Sequence, residues 1–443
     1  MRRPRARWNH RTVGAVAALA CANPAGAQLI GGGNLGGPLG ALPERLPQVG
    51  VPAVVGDLSG TVGATTGEVL GEARRLAAQR LIRKHPEAVE ADDHGAPVVR
   101  GQVLALAPSA AALAAARRAG FSIGPPISAP ELGLESVTLI PPAGISAREA
   151  VRRLRALDPQ GQYDFDHIYQ QGGEASGPPA VAGRAIGRDI RVGLVDGSVA
   201  SGHPALRGVR LTQQAFGPGG AKVTAHATAV ASLLAGSSAN FRGAAPGAAV
   251  LVADVYGPTP AGGSATAIAK GLAWLAQSRV GVINISLVGP PNLVLAAAAR
   301  GLAARGVLLV AAAGNDGPAA PPLYPAAYPG VVAVTGVDAP RRALPEAARG
   351  SYVAFAAPGA QMAAAATDGG FVTVRGTSFA APFVASALAA ELPAADPAAA
   401  AAALRRLAAR AQDLGAPGRD PVFGFGLVGF DQRVDPARVG ARR

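Results

Sequence analysis

The sequence predicts an α/β protein: a parallel sheet with helices on both faces, preceded by a small α+β unit of the ferredoxin-like type. Three observations carry this. From Ile190 onward, continuous apolar runs alternate with helical patterns, as strands buried on both faces require. Between Val98 and Tyr169, shorter patterns follow one another in the order β-α-β-β-α-β. The chain has 443 residues, 49% of them apolar, enough for more than one core.

The first segment reads as a targeting signal. Met1 to Arg11 carries five Arg, Thr12 to Ala20 is a short apolar stretch, and Ala25-Gly26-Ala27 offers a small-residue cleavage site. Residues 1–27 are therefore expected to be a signal peptide, and its apolar stretch is too short to span a bilayer. The expected product is secreted or periplasmic. Arg2-Arg3 fits twin-arginine export. Cys21, the sole cysteine, is a candidate lipidation site, although cleavage after Ala27 is the preferred reading. A single cysteine excludes an intrachain disulfide framework.

Residues 28–95 read as a Gly/Pro-rich linker followed by a helix. Gly31-x-Gly33-x-x-Gly36 matches a dinucleotide fingerprint in form, but no strand precedes it and no helix follows. The charged helix is expected over Glu68 to Glu90, ending near Pro86. In residues 96–170, Val98 to Leu106 alternates like a strand and Ser109 caps an Ala-rich helix to Arg118. Strands follow at Phe121 to Ile123 and Ser136 to Ile140, a helix from Ser146 to Leu157, and a strand near Tyr163 to Tyr169. Gly120-Phe121-Ser122-Ile123-Gly124 has the form of a nucleophile elbow. That motif needs strand, turn and helix, whereas here a helix leads into a strand, so it is set aside. Residues 171–185 read as a linker and cleavage region.

The main domain is expected over 186–434, with a tail at 435–443. Its strands are Arg191 to Val195, Val250 to Val255, Val282 to Leu287, Val307 to Ala311 and Val331 to Val334. Its helices are Ala225 to Ala235, Ser264 to Gln277, Leu293 to Ala304, Thr377 to Leu392 and Ala398 to Ala409. Chemistry in such sheets gathers outside the carboxyl ends of the strands. The uncharged run Val280 to Ala299 is broken by Asn284, Ser286, Pro290 and Pro291, so no transmembrane span is expected.

A net charge of +13 raises the question of nucleic acid. Residues 1–27 carry five basic groups and no acid, 28–184 carry 14 basic and 15 acidic, and 185–443 carry 22 and 13. The basic residues are scattered, with no dense run and no interleaved aromatics. No nucleic-acid partner is expected.

Three polar residues stand where chemistry is expected. Asp196 follows the first apolar strand, His226 opens a helix, and Ser378 lies in the first turn of another, in Gly376-Thr377-Ser378-Phe379-Ala380-Ala381-Pro382. A serine hydroxyl needs a neutral imidazole to take its proton, and the imidazole needs a carboxylate to fix its tautomer. Asn315, in Ala313-Gly314-Asn315, also follows a strand; its amide can donate to the oxyanion together with the Ser378 backbone N–H. The catalytic candidates are thus Asp196, His226 and Ser378, with Asn315 in the oxyanion hole.

These residues resemble the subtilisin-like (subtilase) family of serine peptidases. The complete Gly376-Thr377-Ser378-x-Ala380-x-Pro382 signature, the Ala313-Gly314-Asn315 segment and the Gly202-His203-Pro204-Ala205-Leu206 loop carry the likeness. So do the spacings of 30, 89 and 63 residues between Asp196, His226, Asn315 and Ser378. Two departures stand out: Ala227 follows His226 where the family has Gly, and Asp196-Gly197-Ser198 replaces Asp-Ser-Gly or Asp-Thr-Gly. The resemblance implies an exported endopeptidase forming an acyl-enzyme, with polypeptide substrates and its own propeptide domain as inhibitor. A catalytically silent binding module is the alternative. Ser286 and Leu287 resemble the strand that pairs with an extended peptide, with Val288 at a position usually Gly. Gly314 lines the same site, and Asp316 at its edge implies a preference for basic side chains. No cofactor is expected for catalysis. Family members often carry structural calcium, but no loop here has clear ligand spacing, so no metal residue is assigned.

Overall fold

The computed structural model describes residues 63–176 and 190–442. The expected signal, Cys21 and the Gly31-x-Gly33-x-x-Gly36 motif lie outside the described residues, as do residues 177–185 of the expected linker.

The amino-terminal unit runs α1 (Gly63–Lys84), β1 (Val89–Ala91), β2 (Pro97–Leu106), α2 (Ala110–Arg118), β3 (Ser122–Ala129), β4 (Leu134–Ile140), α3 (Ala147–Leu157) and β5 (Gln162–His167). Its antiparallel sheet has the order β1-β2-β4-β3, with β5 also pairing β2. Setting β1 aside, this is the expected ferredoxin-like unit. The cap read from the sequence holds, Ser109 Oγ accepting from Ala112 N, and Ser146 Oγ caps the next helix by accepting from Glu149 N. The expected helix to Glu90 instead ends at Lys84. Pro86 brings no N–H to a further turn, and Asp92 then accepts from His94 N and Ala96 N, reversing the chain into the β1–β2 hairpin.

Two short strands follow, β6 (Gln170–Gln171) and β7 (Glu174–Ser176), although a linker was expected from residue 171 onward. The main domain then runs β8 (Arg191–Asp196), β9 (Arg210–Ala215), α4 (Ala225–Ala235), β10 (Ala249–Asp254), α5 (Ala265–Gln277), β11 (Val282–Ile285), β12 (Leu287–Val288), α6 (Leu293–Ala304), β13 (Leu308–Ala312), β14 (Val332–Val337), β15 (Val353–Pro358), β16 (Met362–Ala365), β17 (Phe371–Arg375), α7 (Thr377–Ala389) and α8 (Pro397–Arg410). Among the described residues, seven strands form a wholly parallel sheet in the order β15-β14-β13-β11-β8-β10-β9.

Alternation along each strand sends neighbouring side chains to opposite faces. On β10, Val250 and Val252 pack with residues of α4 and α7, while Leu251 and Ala253 pack with α5 and α6. Both faces are therefore apolar, which is why the strands read as unbroken hydrophobic runs. The amino-terminal sheet rests on the α5/α6 side: Leu104, Ile127 and Leu134 share a core with Ile268, Leu272 and Leu302. The expected tail is part of the fold, since Val439 is buried and Arg442 bridges to Val372 and pairs with Asp368. Among the described residues, no helix is long and apolar enough to cross a membrane.

Candidate active site

Strand order reverses around β8, which lies between β10 and β11, and Asp196 is its last residue. That is the switch point at which open α/β sheets form their crevice. Thr224 caps α4 by accepting from Ala227 N at 3.1 Å, which sets His226 in the first helical turn. His226 Nδ1 lies 2.7 Å from Asp196 Oδ2. Asp196 is fully buried and His226 is 5% exposed. The pairing fixes the imidazole orientation and leaves Nε2 on the far side of the ring.

Both departures from the family pattern have a structural account. Ala227 has helical backbone and its methyl packs into the core beside α4. Gly197 sits where a side chain cannot: a Cβ there would lie 2.5 Å from Thr224 Cγ2 and 2.7 Å from its Oγ1. Its N–H donates to Asp196 Oδ1 at 2.8 Å, and Ser198 Oγ donates to the buried Asp254 at 2.6 Å.

Ser378 lies at the start of α7, where unpaired N–H groups and the helix dipole favour negative charge. Asn315 follows β13, and its Oδ1 accepts from Thr377 N at 3.0 Å. That bond uses the oxygen and turns the Nδ2 donor outward. Gly314 takes φ +110°, and a Cβ there would lie 2.5 Å from Leu323 Cδ1, so glycine is required to present Asn315.

The expected hydrogen bond from Ser378 to His226 is not formed. Ser378 Oγ donates instead to the Ser286 carbonyl oxygen at 3.2 Å, and His226 Nε2 is buried without a partner. A buried ring nitrogen left without a partner is costly. Ser286 Oγ in turn donates to the Ser378 carbonyl at 2.9 Å, tying the two segments together.

The crevice is occupied by the chain's own residues 170–176. Gln171 pairs with Leu287 and Gln170 with Val288, antiparallel. Beyond them, Glu174, Ala175 and Ser176 pair with Arg375, Val374 and Thr373. Gly172 lies between the two ladders, and a Cβ on it would stand 3.0 Å from Ser378 Oγ and 3.5 Å from Asn315 Nδ2. A Cβ on Gly376 would stand 3.0 Å from Asn315 Nδ2 and 3.3 Å from the Gly172 carbonyl oxygen. Gly172 thus lies beside Ser378, and its carbonyl oxygen and Asn315 Nδ2 both border the space at Gly376.

Other contacts hold the amino-terminal unit in place. On β5, Asp164 accepts from Leu293 N and Asp166 from Thr266 N, so two carboxylates meet the amino ends of α6 and α5. Burial pushes the Asp166 carboxyl up to about 6. Burial also acts to raise Asp92, yet bonds from His167 and from Ala96 N and His94 N leave it below the usual carboxylate range. Tyr169 is wholly buried, donating to the Pro290 carbonyl at 2.6 Å. Arg74 Nε of α1 meets Asp316 Oδ2 at 2.5 Å, next to Asn315. Nothing in the sequence singled out Gln171, Thr224, Arg74 or the β5 aspartates, because each gains meaning from a partner far away in the chain. His203 is structural: it caps Ala205 N and bonds the Gly370 carbonyl. Among the described residues, no group of three or more His, Cys, Asp or Glu is arranged to hold a metal.

The model of the Subtilase family matches residues 187–426. The chain is 31% identical over 270 residues to the minor extracellular protease Epr of Bacillus subtilis (strain 168), covering 58% of this chain and 40% of Epr. It is 30% identical over 213 residues to subtilisin DY of Bacillus licheniformis, covering 46% and 76%, and 33% over 220 residues to subtilisin Savinase of Lederbergia lenta, covering 48% and 79%. Fervidolysin from Fervidobacterium pennivorans superposes with a TM-score of 0.63 at 20% identity, over 78% of this chain and 62% of that one, a likeness of fold.

Proposed function

The chain belongs to the subtilase family, and from that premise we propose that it is an exported serine endopeptidase, made as a self-inhibited precursor. Ser378 is the nucleophile, His226 the general base and then acid, and Asp196 the carboxylate that orients the imidazole. Turning Ser378 about its Cα–Cβ bond exchanges the Ser286 carbonyl for His226 Nε2, which takes the proton as Oγ attacks the substrate carbonyl. The oxyanion is held by Asn315 Nδ2 and the Ser378 N–H, and the leaving amine takes its proton from His226. Water then hydrolyses the acyl-enzyme by the same route. Hydroxyl, imidazole, carboxylate and amide donors cover every step, so no cofactor is invoked.

The observation that carries this reading is the course of residues 170–176. They pair on both sides of Ser378 as an extended substrate would, and they bring one peptide bond to the serine. The amino-terminal unit is accordingly proposed to be a propeptide that blocks the site until the Gly172–Gly173 bond is cut. Asp316, which already receives Arg74, is proposed to favour a basic side chain just before the scissile bond of other substrates. The Arg-rich leader and Ala25-Gly26-Ala27 support export.

Intact mass and amino-terminal sequencing of the full chain and of Ser378→Ala test this directly. The unsubstituted chain should yield a new terminus at Gly173, and Ser378→Ala should yield none. The same termini in both would contradict self-processing.

A further inference from the structure

The catalytic carboxylate accepts a hydrogen bond from outside the main domain. Gln171 Nε2 lies 2.7 Å from Asp196 Oδ1 and 3.2 Å from Thr224 Oγ1. An NH2 group has two hydrogens, so one amide can serve both acceptors. Asp196 is fully buried, and its Oδ2 is taken by His226. Its Oδ1 otherwise receives the Gly197 N–H. A side chain at 197 cannot add a donor, because a Cβ there collides with Thr224. Gln171 precedes Gly172, which lies beside Ser378, so with scission proposed at Gly172–Gly173 it stands two residues before the cleaved bond.

We propose that Asp196 Oδ1 and Thr224 Oγ1 form a subsite selecting a primary-amide side chain, glutamine above all, two residues before the scissile bond. The inference rests on the endopeptidase reading and deepens it. The physical reason is satisfaction of a buried charge: when Gln171 departs with the propeptide, Oδ1 keeps one donor, and an incoming Gln restores the second. An apolar side chain fills the space without donating. A glutamate sets a second anion against Asp196 and is disfavoured further. Selection of this kind is steep, because a site built to bond a polar group leaves that group unpaired with the wrong ligand.

The test uses internally quenched peptides of the sequence Tyr-Gln-X-Gly-Gly-Glu-Ala, with X as Gln, Leu, Ala or Glu, turned over by the processed protein. The expected kcat/KM for X = Gln exceeds that for Leu and Ala by about tenfold, and Glu is slowest. Equal or faster turnover of the Leu peptide would overturn the subsite while leaving the endopeptidase reading intact. Failure to cleave any of the four would overturn that reading, and the subsite with it. A second arm uses the full chain with Gln171→Leu and Gln171→Glu. Processing at Gly172–Gly173 should slow about tenfold or more in both, while the processed products, identical in sequence, turn over the Gln peptide equally. Unchanged processing rates would also overturn the proposal.

Discussion

Ser378 Oγ donates to the carbonyl oxygen of Ser286 at 3.2 Å, so the hydroxyl is held by the residue that leads into the β12 ladder with Gln170 and Gln171. The His226 imidazole is paired with Asp196 and keeps a buried, open Nε2. In the proposed mechanism the Ser378 hydroxyl exchanges the Ser286 carbonyl for Nε2 before it attacks.

Removing either end of the proposed proton path should abolish turnover. Ser378→Ala and His226→Ala are each expected to lower kcat on the order of 10⁶-fold, the loss that the same two deletions cause in subtilisin itself. Asn315→Ala should lower kcat by about 10²–10³-fold with little change in KM, again on subtilisin's precedent. Steady-state kinetics with one peptide across the three variants checks the ranking.

Asp316 should govern preference at the residue just before the cleaved bond. Its carboxylate is 10% exposed and accepts an arginine, a charge-assisted contact. Asp316→Asn is expected to reduce kcat/KM for an Arg-containing peptide about tenfold and to leave a Leu-containing one nearly unchanged. A parent enzyme that favours Glu at that position would contradict the assignment.

Acidity should strengthen the hold of the proposed propeptide. Asp166 titrates at about 6 when docked, against an ordinary value of 3.8. A carboxyl with a raised pKa binds its proton more tightly in the docked form. The docking contribution is therefore fully present below about pH 4, is lost as pH rises through about 6, and is level above. That difference corresponds to at most about a 100-fold change in affinity. Processed protein held at pH 4.5 or 6.5 and then assayed at one common pH should show faster onset of activity after the higher-pH incubation. Asp166→Asn should remove that difference.

Much of this arrangement was legible in the residues themselves. Ala225–Ala235 and Leu293–Ala304 match their expected helices end to end, because Thr224 and Asn292 cap them and apolar residues fill their buried faces. Asp196, His226, Asn315 and Ser378 stand out because each sits at a strand end or helix start. The polar strand Arg210–Ala215 escapes a reading by pattern because it is an exposed edge without a hydrophobic run. Gln171 to Ser176 read as linker since their strand character comes wholly from partners at 287–288 and 373–375. Val89–Ala91 merges into a helix in the sequence because the turn at Asp92 that makes it a strand is not visible in local periodicity. What escapes is non-local pairing, and the proposed self-blocked state depends on it.

The most direct measurement is covalent labelling of the processed protein with a fluorophosphonate, followed by mass mapping of the adduct. A reactive triad gives one adduct, on Ser378, and His226→Ala gives none at the same exposure. No adduct on the processed protein, or labelling of Ser378 that persists in His226→Ala, would contradict a serine activated by that imidazole.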